Sequence, residues 1–348
     1  MRVLFLTEGT TIPSTRFRVL QFIPYFEANG ISCTVRGGYG PLYNSVSKTR
    51  WGKAYKLASR LKRAGVGVDA PLFDGVFLQR PAIPFTSVPE RLLALSGTPV
   101  IFDFDDNLSM GANGQPHPAR TRTLRHAAAS SDRVIAGNTF LAGLVDEAHK
   151  TTIIPTVIDT NRYTPGTTPF AHEDVVIGWM GTQGNFVYLR QILPWVLATL
   201  QAHPRARLRV VSNARLPELE GVAQVDQIPW SAEDEINLLR SFDIGLMPLA
   251  DTLGARGKCG FKMIQYMAVG CAVVSSPVGA NVEIFEGSQA GALASGEDQW
   301  AASLAQLIED TSHREACAHA ARAHAVARYS IEGVLPAYLE LFEQTYRS

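Results

Sequence analysis

The chain has 348 residues, more than one hydrophobic core usually serves, so its length predicts two domains. A hydrophobic content of 46% and a charged content of 18% are typical of a globular protein and exclude a disordered or fibrous chain. Lys plus Arg and Asp plus Glu number 32 each, so there is no basic excess of the kind that marks a nucleic-acid-binding protein.

The cysteines and the apolar runs of the sequence indicate the cellular compartment in which the protein works. The four cysteines lie far apart without a Cys-x-x-Cys pair, which argues against a structural zinc site or a disulfide framework and favours a reducing environment. The apolar run from Val3 to Leu6 is too short for a signal peptide, and no stretch is long and apolar enough for a membrane span. We therefore expect a cytoplasmic protein.

Short apolar runs alternate with longer helical patterns along the first half of the chain. Strands are predicted over residues 2–6, 76–79, 100–105 and 133–137. After the first strand, Ser14 can cap a helix that Gly30 can end. This alternation is typical of a parallel α/β sheet.

A second series of the same kind follows. Its strands are predicted over residues 174–181, 207–212, 242–248 and 271–277. The segment 154–174 before it is rich in Pro and Thr, a composition that suits a connection between domains. The sequence therefore predicts an N-terminal domain over residues 1–163, a C-terminal domain over 164–328, and a final helix over 329–348 that packs back toward the first domain.

Ligands of open parallel sheets bind beyond the carboxyl ends of the strands. With two such sheets facing each other, this rule points to the cleft between them and to the loops at its edge. These are the loops after Leu6, Asp105, Gly181 and Pro248, and the loop before Phe261.

The loop before Phe261 opens the stretch RGKCGFKMIQYMAVGCAVVSSPVG, residues 256–279. Three cations fall in its first seven residues, namely Arg256, Lys258 and Lys262. Gly257 and Gly260 let a ligand approach the backbone, and the first amides of the following helix point at it from the positive end of the helix dipole. The stretch predicts a phosphate site, and a solvated basic turn is the alternative.

This stretch, extended as GKCGFKMIQYMAVGCAVVSSPVGANVE, resembles the donor-binding segment of a large family of retaining glycosyltransferases, which includes sucrose, glycogen, cell-wall and antibiotic sugar transferases. IPTVIDTNRY, VVIGWMGT, FDIGLMPL and PSTRFRVLQFIPYF are similar to further segments of the family, so the resemblance covers most of the chain. It implies an α/β fold of two Rossmann-like domains facing each other across a cleft (GT-B), with the acceptor in the first domain and a nucleotide sugar in the second. It also implies retention of the anomeric configuration and no need for a metal or another cofactor.

The resemblance also implies roles for particular residues. Catalysis is assigned to Asp105, Lys258 and Lys262, since lysines can stabilise the negative charge that gathers on a leaving diphosphate. Acceptor contacts are assigned to Arg16, Arg18 and Asp106; the two arginines are assigned on their charge, which suits an anionic donor or acceptor, and surface ion pairs are the alternative for them. Donor contacts are assigned to Gly9, Gly181, Thr182, Gln183, Trp230, Arg256, Cys259, Gly260, Phe261 and Gln265. For Trp230, aromatic packing between the domains is an equal alternative, and for Cys259 we expect only the backbone to take part.

The chain departs from the family pattern at two positions where the family usually has glutamates eight residues apart. Here these positions are Gly257 and Gln265. Gln265 can still accept from a ribose hydroxyl and also donate, whereas Gly257 can offer only its backbone. The family's arginine after the first strand of the second domain is also replaced, by the run Gly-Thr-Gln-Gly-Asn at 181–185.

A second motif, VIFDFDDNL at 100–108, has a strand followed by Asp-x-Asp. It is similar to the nucleophile motif of haloacid-dehalogenase-type phosphatases, but it lacks the Gly-Thr that follows there and lies a hundred residues into the chain. In the glycosyltransferase family a His-Asp pair that faces the transferred sugar often follows the corresponding strand. Asp105 and Asp106 occupy that place, with helix caps or a salt bridge as the alternative.

The sequence thus predicts a retaining, metal-independent glycosyltransferase with a UDP-sugar donor, or next a GDP-sugar, and a glycan, lipid-linked or small-molecule acceptor. A non-catalytic nucleotide-sugar-binding homologue and a sugar-nucleotide epimerase of the same fold are the alternatives. The basic amphipathic run RWGKAYKLASRLKR at 50–63 could contact anionic lipid at the inner face of the membrane or an anionic acceptor. A solvated helix face is the other interpretation of that run.

Overall fold

The computed structural model describes residues 1–10, 12–40, 46, 49–111, 113–166 and 173–347. Part of the predicted connection, residues 167–172, lies outside the described residues. The chain divides into two compact units. Unit 1 comprises Met1–Val157, Gly257–Cys259 and Val334–Ser348, and unit 2 comprises Ile158–Arg256 and Gly260–Gly333.

Unit 1 is built on a parallel sheet whose six described strands lie in the order β2-β1-β3-β4-β5-β6. The strands are β1 (Arg2–Gly9), β2 (Ser32–Tyr39), β3 (Gly75–Gln79), β4 (Val100–Phe104), β5 (Arg133–Ala136) and β6 (Thr151–Ile153). The interior strands β3 and β4 are buried along their whole length, which explains why they are nearly continuous apolar runs. The four strands predicted in this half are confirmed.

Helices of unit 1 connect these strands. They are α1 (Pro13–Arg18), α2 (Ile23–Ala28), α3 (Gly52–Ala64), α4 (Val88–Leu95), α5 (Pro118–Ala129) and α6 (Thr139–Ala142). The single helix predicted from Ser14 to Gly30 is two helices joined by a short 3-10 turn at Leu20–Phe22, and Pro24, which has no amide hydrogen, lies at the start of the second. The N-cap of α1 is Ile12, so Ser14 does not cap it.

Unit 2 repeats the architecture with a parallel sheet whose six described strands lie in the order β12-β11-β10-β7-β8-β9. The strands are β7 (Val175–Met180), β8 (Ala206–Ser212), β9 (Val225–Pro229), β10 (Ile244–Met247), β11 (Ala272–Ser275) and β12 (Gly291–Leu293). The helices are α7 (Phe186–Ala202), α8 (Glu235–Arg240), α9 (Leu253–Arg256), α10 (Phe261–Ala268), α11 (Ala280–Phe285), α12 (Gly296–Glu309) and α13 (Thr311–Arg328). No helix in the described part of the chain combines the length and the apolar character needed to cross a membrane.

The final helix, α14 (Ile331–Tyr346), supplies aromatic side chains to the core of unit 1. Phe342 lies 5.1 Å from Phe26 between ring centroids, and Tyr338 lies 4.9 Å from Phe22. The Tyr346 hydroxyl donates to the Val76 carbonyl oxygen at 2.8 Å. These contacts bury the inner face of α14 against β1, β3 and the helices beside them.

Both sheets reverse the direction of strand order beside their first strand, between β1 and β3 in unit 1 and between β7 and β10 in unit 2. Such a switch point opens a crevice at the carboxyl ends of the strands, because the connections on its two sides run to opposite faces of the sheet. The residues that follow β1 and β3 in unit 1, and β7 and β10 in unit 2, are therefore candidates for ligand binding.

One charged pair lies inside the core of unit 1. Arg18 and Asp103 are 1% and 0% exposed, and the Arg18 guanidinium donates from Nε to Asp103 Oδ2 at 3.2 Å and from Nη2 to Oδ1. Its Nη1 donates to the Ile154 carbonyl oxygen at 2.7 Å. Burial alone would lower the pKa of Arg18, but Asp103, Tyr338 and Asp105 together outweigh burial and raise it, so Arg18 stays charged beside Asp103.

Replacing Arg18 by Met should lower the free energy of unfolding by about 3–5 kcal/mol, because Asp103 is then a buried charge without its partner. Denaturant unfolding curves would measure the loss. The matched control is Arg190→Met, which breaks the exposed pair with Glu218 and should cost less than about 1 kcal/mol. Arg18→Met combined with Asp103→Leu should recover most of the loss, and equal losses in Arg18→Met and the control would contradict the assignment.

Candidate functional site

In unit 2 the basic stretch leads into the first turn of α10. The helix N-cap is Gly260, in the left-handed conformation with φ 59°, and it forms no side-chain cap hydrogen bond. A side chain at this position would be strained, and its Cβ would meet Ile284 Cδ1 at 2.3 Å. The first turn contains no acidic residue, so the amides that begin at Phe261 form a positive helix end that no carboxylate of that turn neutralises.

The three cations that the sequence groups together lie in different surroundings. Arg256 donates to both carboxylate oxygens of Asp251, at 2.6 and 2.8 Å, in an exposed ion pair. Lys262, in the first turn of α10, donates to Gln265 Oε1 at 2.6 Å. Lys258 belongs to unit 1, and its carbonyl oxygen accepts from Asn138 Nδ2 at 3.1 Å. Of the three, Lys262 thus lies on the helix that begins beside Gly260.

The buried carboxylate of Glu235, at the start of α8, connects residues that the sequence analysis singled out separately. Its Oε2 accepts from Trp230 Nε1 at 3.1 Å, and its Oε1 accepts from Gln265 Nε2 at 3.2 Å and from the Tyr163 hydroxyl at 2.5 Å. Glu235 is 4% exposed and Gln265 is fully buried. Glu235 was not predicted as a site residue, because in the run Ser-Ala-Glu-Asp-Glu nothing distinguishes it from two exposed acidic neighbours.

Both the oxygen and the nitrogen of the Gln265 side-chain amide therefore form hydrogen bonds. Its amide nitrogen donates to Glu235 and its oxygen accepts from Lys262. The structure brings Gln265, Trp230 and Lys262 into one hydrogen-bonded chain through Glu235. Trp230 remains partly exposed at 38%, so one part of the indole is open beside this chain.

The residues after β7 lie at the switch point of unit 2. The Gln183 amide donates to Asn213 Oδ1 at 2.8 Å, and Asn185 Nδ2 donates to the Thr182 hydroxyl at 3.4 Å. Gly181 packs on the Trp179 ring, which a Cβ would meet at 2.5 Å. Thr182 and Gln183 are exposed, so their side chains lie at the surface next to the carboxyl end of the sheet.

In unit 1, Asp105 follows β4, and its carboxylate is held by side chains from two other elements at the carboxyl edge of the sheet. Its Oδ2 accepts from the Ser14 hydroxyl at 2.6 Å, and its Oδ1 accepts from Arg80 Nη2 at 2.8 Å. Burial by itself would raise the pKa of Asp105, but Arg80, then Arg18 and the Ser14 hydrogen bond outweigh it and hold the pKa below its usual value. Asp105 is consequently an ionised, fixed acceptor and not a proton donor at neutral pH.

Arg80 is a site residue that the sequence analysis missed. It follows β3 at the switch point and has φ 60°, a left-handed conformation that is rare for a residue with a side chain. Its guanidinium pairs with Asp105 and, through Nη1, with Glu8 at 3.0 Å. The strained backbone aims this guanidinium at the carboxyl edge of the sheet, and no sequence pattern signals a positive φ at an arginine.

Arg80 and Asp106 line a cavity of about 290 Å³ in unit 1. Its other lining residues are Glu8, Tyr39, Lys56, Pro81, Pro84, Asn107, Leu108 and Arg120. The Asp106 side chain is 53% exposed, so its carboxylate can reach a bound molecule. The cavity mixes cations, carboxylates and apolar walls, which is the make-up of a small-molecule site.

The other residues assigned to unit 1 do not line this cavity. Arg18 is engaged in the core, so we assign it to the stability of unit 1 and not to an acceptor. Arg16 lies over the Phe17 ring at 4.2 Å from the centroid. Gly9 ends β1 against β2, where a Cβ would meet the Tyr39 carbonyl oxygen at 2.7 Å. Of the three predicted acceptor residues, the cavity includes Asp106.

Three residues of the basic stretch, Gly257–Cys259, pack within unit 1. The Cys259 thiol donates to the Asp105 carbonyl oxygen at 2.9 Å, and burial raises the pKa of that thiol. At Gly257 a Cβ would lie 2.5 Å from Asn107 Cβ and 3.1 Å from the Asn107 amide nitrogen. The glutamate that the family usually has at this position would not fit beside Asn107, which gives a steric reason for the departure.

No three His, Cys, Asp or Glu side chains within the described ranges are grouped so that they could hold a metal ion. The groups at the carboxyl edges of the two sheets are instead backbone amides, cations and paired carboxylates.

Comparison with known proteins finds one family model and several solved structures to which the chain is similar. Residues 175–310 match the family model for glycosyl transferases group 1. HepE from Anabaena, solved with UDP and glucose, is 17% identical with a TM-score of 0.69, and the match covers 99% of this chain and 100% of HepE. Sucrose-phosphate synthase from Thermosynechococcus elongatus is 13% identical with a TM-score of 0.72, over 99% and 98% of the two chains.

A glycosyltransferase from Rickettsia africae is 14% identical with a TM-score of 0.70, again over 99% and 98% of the chains. No curated protein matches the sequence. The structural matches confirm the predicted α/β fold of two Rossmann-like domains, the GT-B class.

Gly257→Ala should lower the free energy of unfolding by about 1–3 kcal/mol, because the new methyl group must displace Asn107 or the strand-end loop that holds it. Denaturant unfolding would measure this. Gly143→Ala is the matched control, since a Cβ there meets its nearest atom at an ordinary 3.5 Å. Equal stability of the two variants would show that position 257 tolerates a side chain and would remove the steric reason for glycine.

Proposed function

We propose that this chain, which carries a group 1 glycosyltransferase domain over residues 175–310, transfers a sugar from a nucleotide-sugar donor to an acceptor with retention of configuration and without a metal. A UDP-sugar is the favoured donor and a GDP-sugar the next. Support for UDP comes from HepE, which has been solved with UDP and with UDP-glucose.

The first turn of α10, which has no side-chain cap and no acidic residue, is the observation on which the proposal depends. Transfer breaks the bond between the anomeric carbon and the diphosphate oxygen, and the electron pair of that bond stays on the diphosphate. Backbone amides at Gly260 and Phe261, together with the Lys262 ammonium, would stabilise the charge that develops there. Because these groups are fixed before the reaction, they need little reorganisation in the transition state.

The hydrogen-bonded chain through Glu235 gives Gln265 a positioning role in this proposal. Gln265 holds Lys262, and Glu235 holds both Gln265 and the Trp230 indole. The exposed part of Trp230 would then border the nucleotide, while Lys262 faces its phosphates. In this arrangement the buried carboxylate of Glu235 orients the donor site without touching the sugar.

Unit 1 would supply the acceptor side. Asp106 lines the cavity with an exposed carboxylate and would accept from an acceptor hydroxyl other than the attacking one. Asp105 is fixed by Ser14 and Arg80, an arrangement that suits electrostatic support and not nucleophilic attack. The acceptor proton would therefore pass to the leaving diphosphate oxygen on the same face of the sugar, which retains the configuration.

Cations of the chain would serve in place of a metal. Lys262 faces the diphosphate, and Lys258 is the second cation proposed for it, with its backbone held by Asn138. Arg256 is neutralised by Asp251 and would add less. We therefore expect Lys262 to contribute most to diphosphate binding and Arg256 least.

Lys262→Ala should lower the rate of donor turnover by about 10²–10³-fold, the usual effect of removing one preorganised contact to the developing charge. The measurement is release of UDP from UDP-glucose, together with calorimetric binding of UDP, GDP, ADP and dTDP in the presence and absence of EDTA. We expect one nucleotide to bind in EDTA. Arg256→Ala is the matched control and should change turnover only a few-fold, because Asp251 already neutralises that guanidinium.

Near-normal turnover of Lys262→Ala would overturn its role. Nucleotide binding without turnover of any donor would favour the non-catalytic homologue, and an epimeric nucleotide sugar formed without acceptor would favour the epimerase. Binding that EDTA abolishes would contradict metal independence.

Glu235→Gln should weaken UDP binding by about tenfold, since an amide in this place cannot accept from all three donors that now meet the carboxylate. Glu233→Gln, at an exposed position two residues earlier, is the control and should leave binding unchanged. Calorimetry would measure both. If Glu235→Gln bound UDP as tightly as the control, the carboxylate would have only a structural function.

A further inference from the structure

The outward face of α3 exposes apolar side chains that the described part of unit 1 does not cover. Leu57 and Leu61, one helical turn apart, are 57% and 58% exposed, and Trp51 just before the helix is 63% exposed. The opposite face packs inward, where the Gly40 amide donates to the Tyr55 hydroxyl at 3.0 Å and Ser59 is buried. The helix is amphipathic, but part of its apolar surface faces solvent.

This exposure extends to the elements next to α3. The described residues include fifteen exposed large hydrophobic side chains, and nine of them lie between positions 51 and 95. The nine are Trp51, Leu57, Leu61, Val68, Leu72, Phe85, Val88, Leu92 and Leu95. The 3-10 turn at Gly65–Val68 contacts both α3 and α4, so much of this set belongs to one region of unit 1. Such a concentration marks an interaction surface.

The charged residues of the same segment are all cations. From residue 50 to residue 68 the sequence has six Lys and Arg and no Asp or Glu, in a chain whose formal net charge is zero. Lys53 and Lys62 are exposed beside the two leucines. An apolar face flanked by cations suits a surface that is apolar inside and anionic outside, which describes a bilayer with anionic headgroups.

We propose that α3 and the turn after it bind anionic phospholipid membranes, with Trp51, Leu57 and Leu61 inserted at the headgroup boundary and the lysines against the phosphates. This function is independent of the proposed transfer reaction, because it depends on residues outside the donor site. Lys56, on the inner side of α3, also lines the cavity that contains Asp106. Membrane binding would thus bring that cavity to the bilayer surface.

Cosedimentation of the full chain with vesicles tests the proposal. The wild type should bind vesicles of phosphatidylcholine mixed with phosphatidylglycerol and should not bind phosphatidylcholine alone, and added salt should weaken the binding. Leu57→Asp combined with Leu61→Asp, and separately Lys53→Glu combined with Lys62→Glu, should each reduce the bound fraction at least about tenfold.

Matched controls introduce the same charges at other exposed apolar and cationic residues. Val187→Asp with Val326→Asp alters exposed apolar positions of unit 2, and Arg122→Glu with Arg215→Glu removes two exposed cations. Both should bind vesicles as the wild type does, and thermal melting and UDP binding would show that every variant is folded.

Absence of binding to the mixed vesicles, or equal loss in the control and α3 variants, would overturn the proposal. Sedimentation velocity completes the test. Self-association of the wild type without vesicle binding, abolished by the α3 variants, would assign this face to a second copy of the chain and would also overturn it.

Discussion

A buried carboxylate cannot remain unpaired, and this constraint organises the carboxyl edge of each sheet. In unit 1, Asp105 recruits Ser14 from α1 and Arg80 from the end of β3, and Arg80 adopts a left-handed backbone as it does so. In unit 2, Glu235 recruits Tyr163, Trp230 and Gln265. Each carboxylate therefore joins side chains from separate parts of the sequence near the carboxyl ends of the strands.

The basic stretch shows how neighbouring residues can serve different parts of the fold. Arg256 and Gly260 belong to unit 2, whereas Gly257–Cys259 pack within unit 1 against Asp105 and Asn107. The close approach to Asn107 leaves no room for a side chain at position 257. Glycine at position 257 thus fits the local packing, and the amide of Gln265 donates to the carboxylate of Glu235.

The buried strands could be predicted from the sequence, and the half-buried strands could not. All eight predicted strands are present, because an interior strand is covered on both faces and reads as an apolar run. The four that escaped prediction are β2, β6, β9 and β12, which lie at the edges of the two sheets and are largely half-buried. Their polar and glycine residues follow from that exposure, so periodicity could not reveal them.

The sequence by itself determined the fold class, the glycine-rich turn before α10 and the cations beside it, because these depend on local pattern and on residue type. The tertiary structure decided the surroundings of each candidate site residue. Only the fold shows that Arg18 is buried with Asp103, that Asp251 neutralises Arg256, and that Gln265 is held by Glu235. Except for the Asp251–Arg256 pair, these contacts join residues that are far apart in the chain, and no spacing in the sequence encodes such a contact.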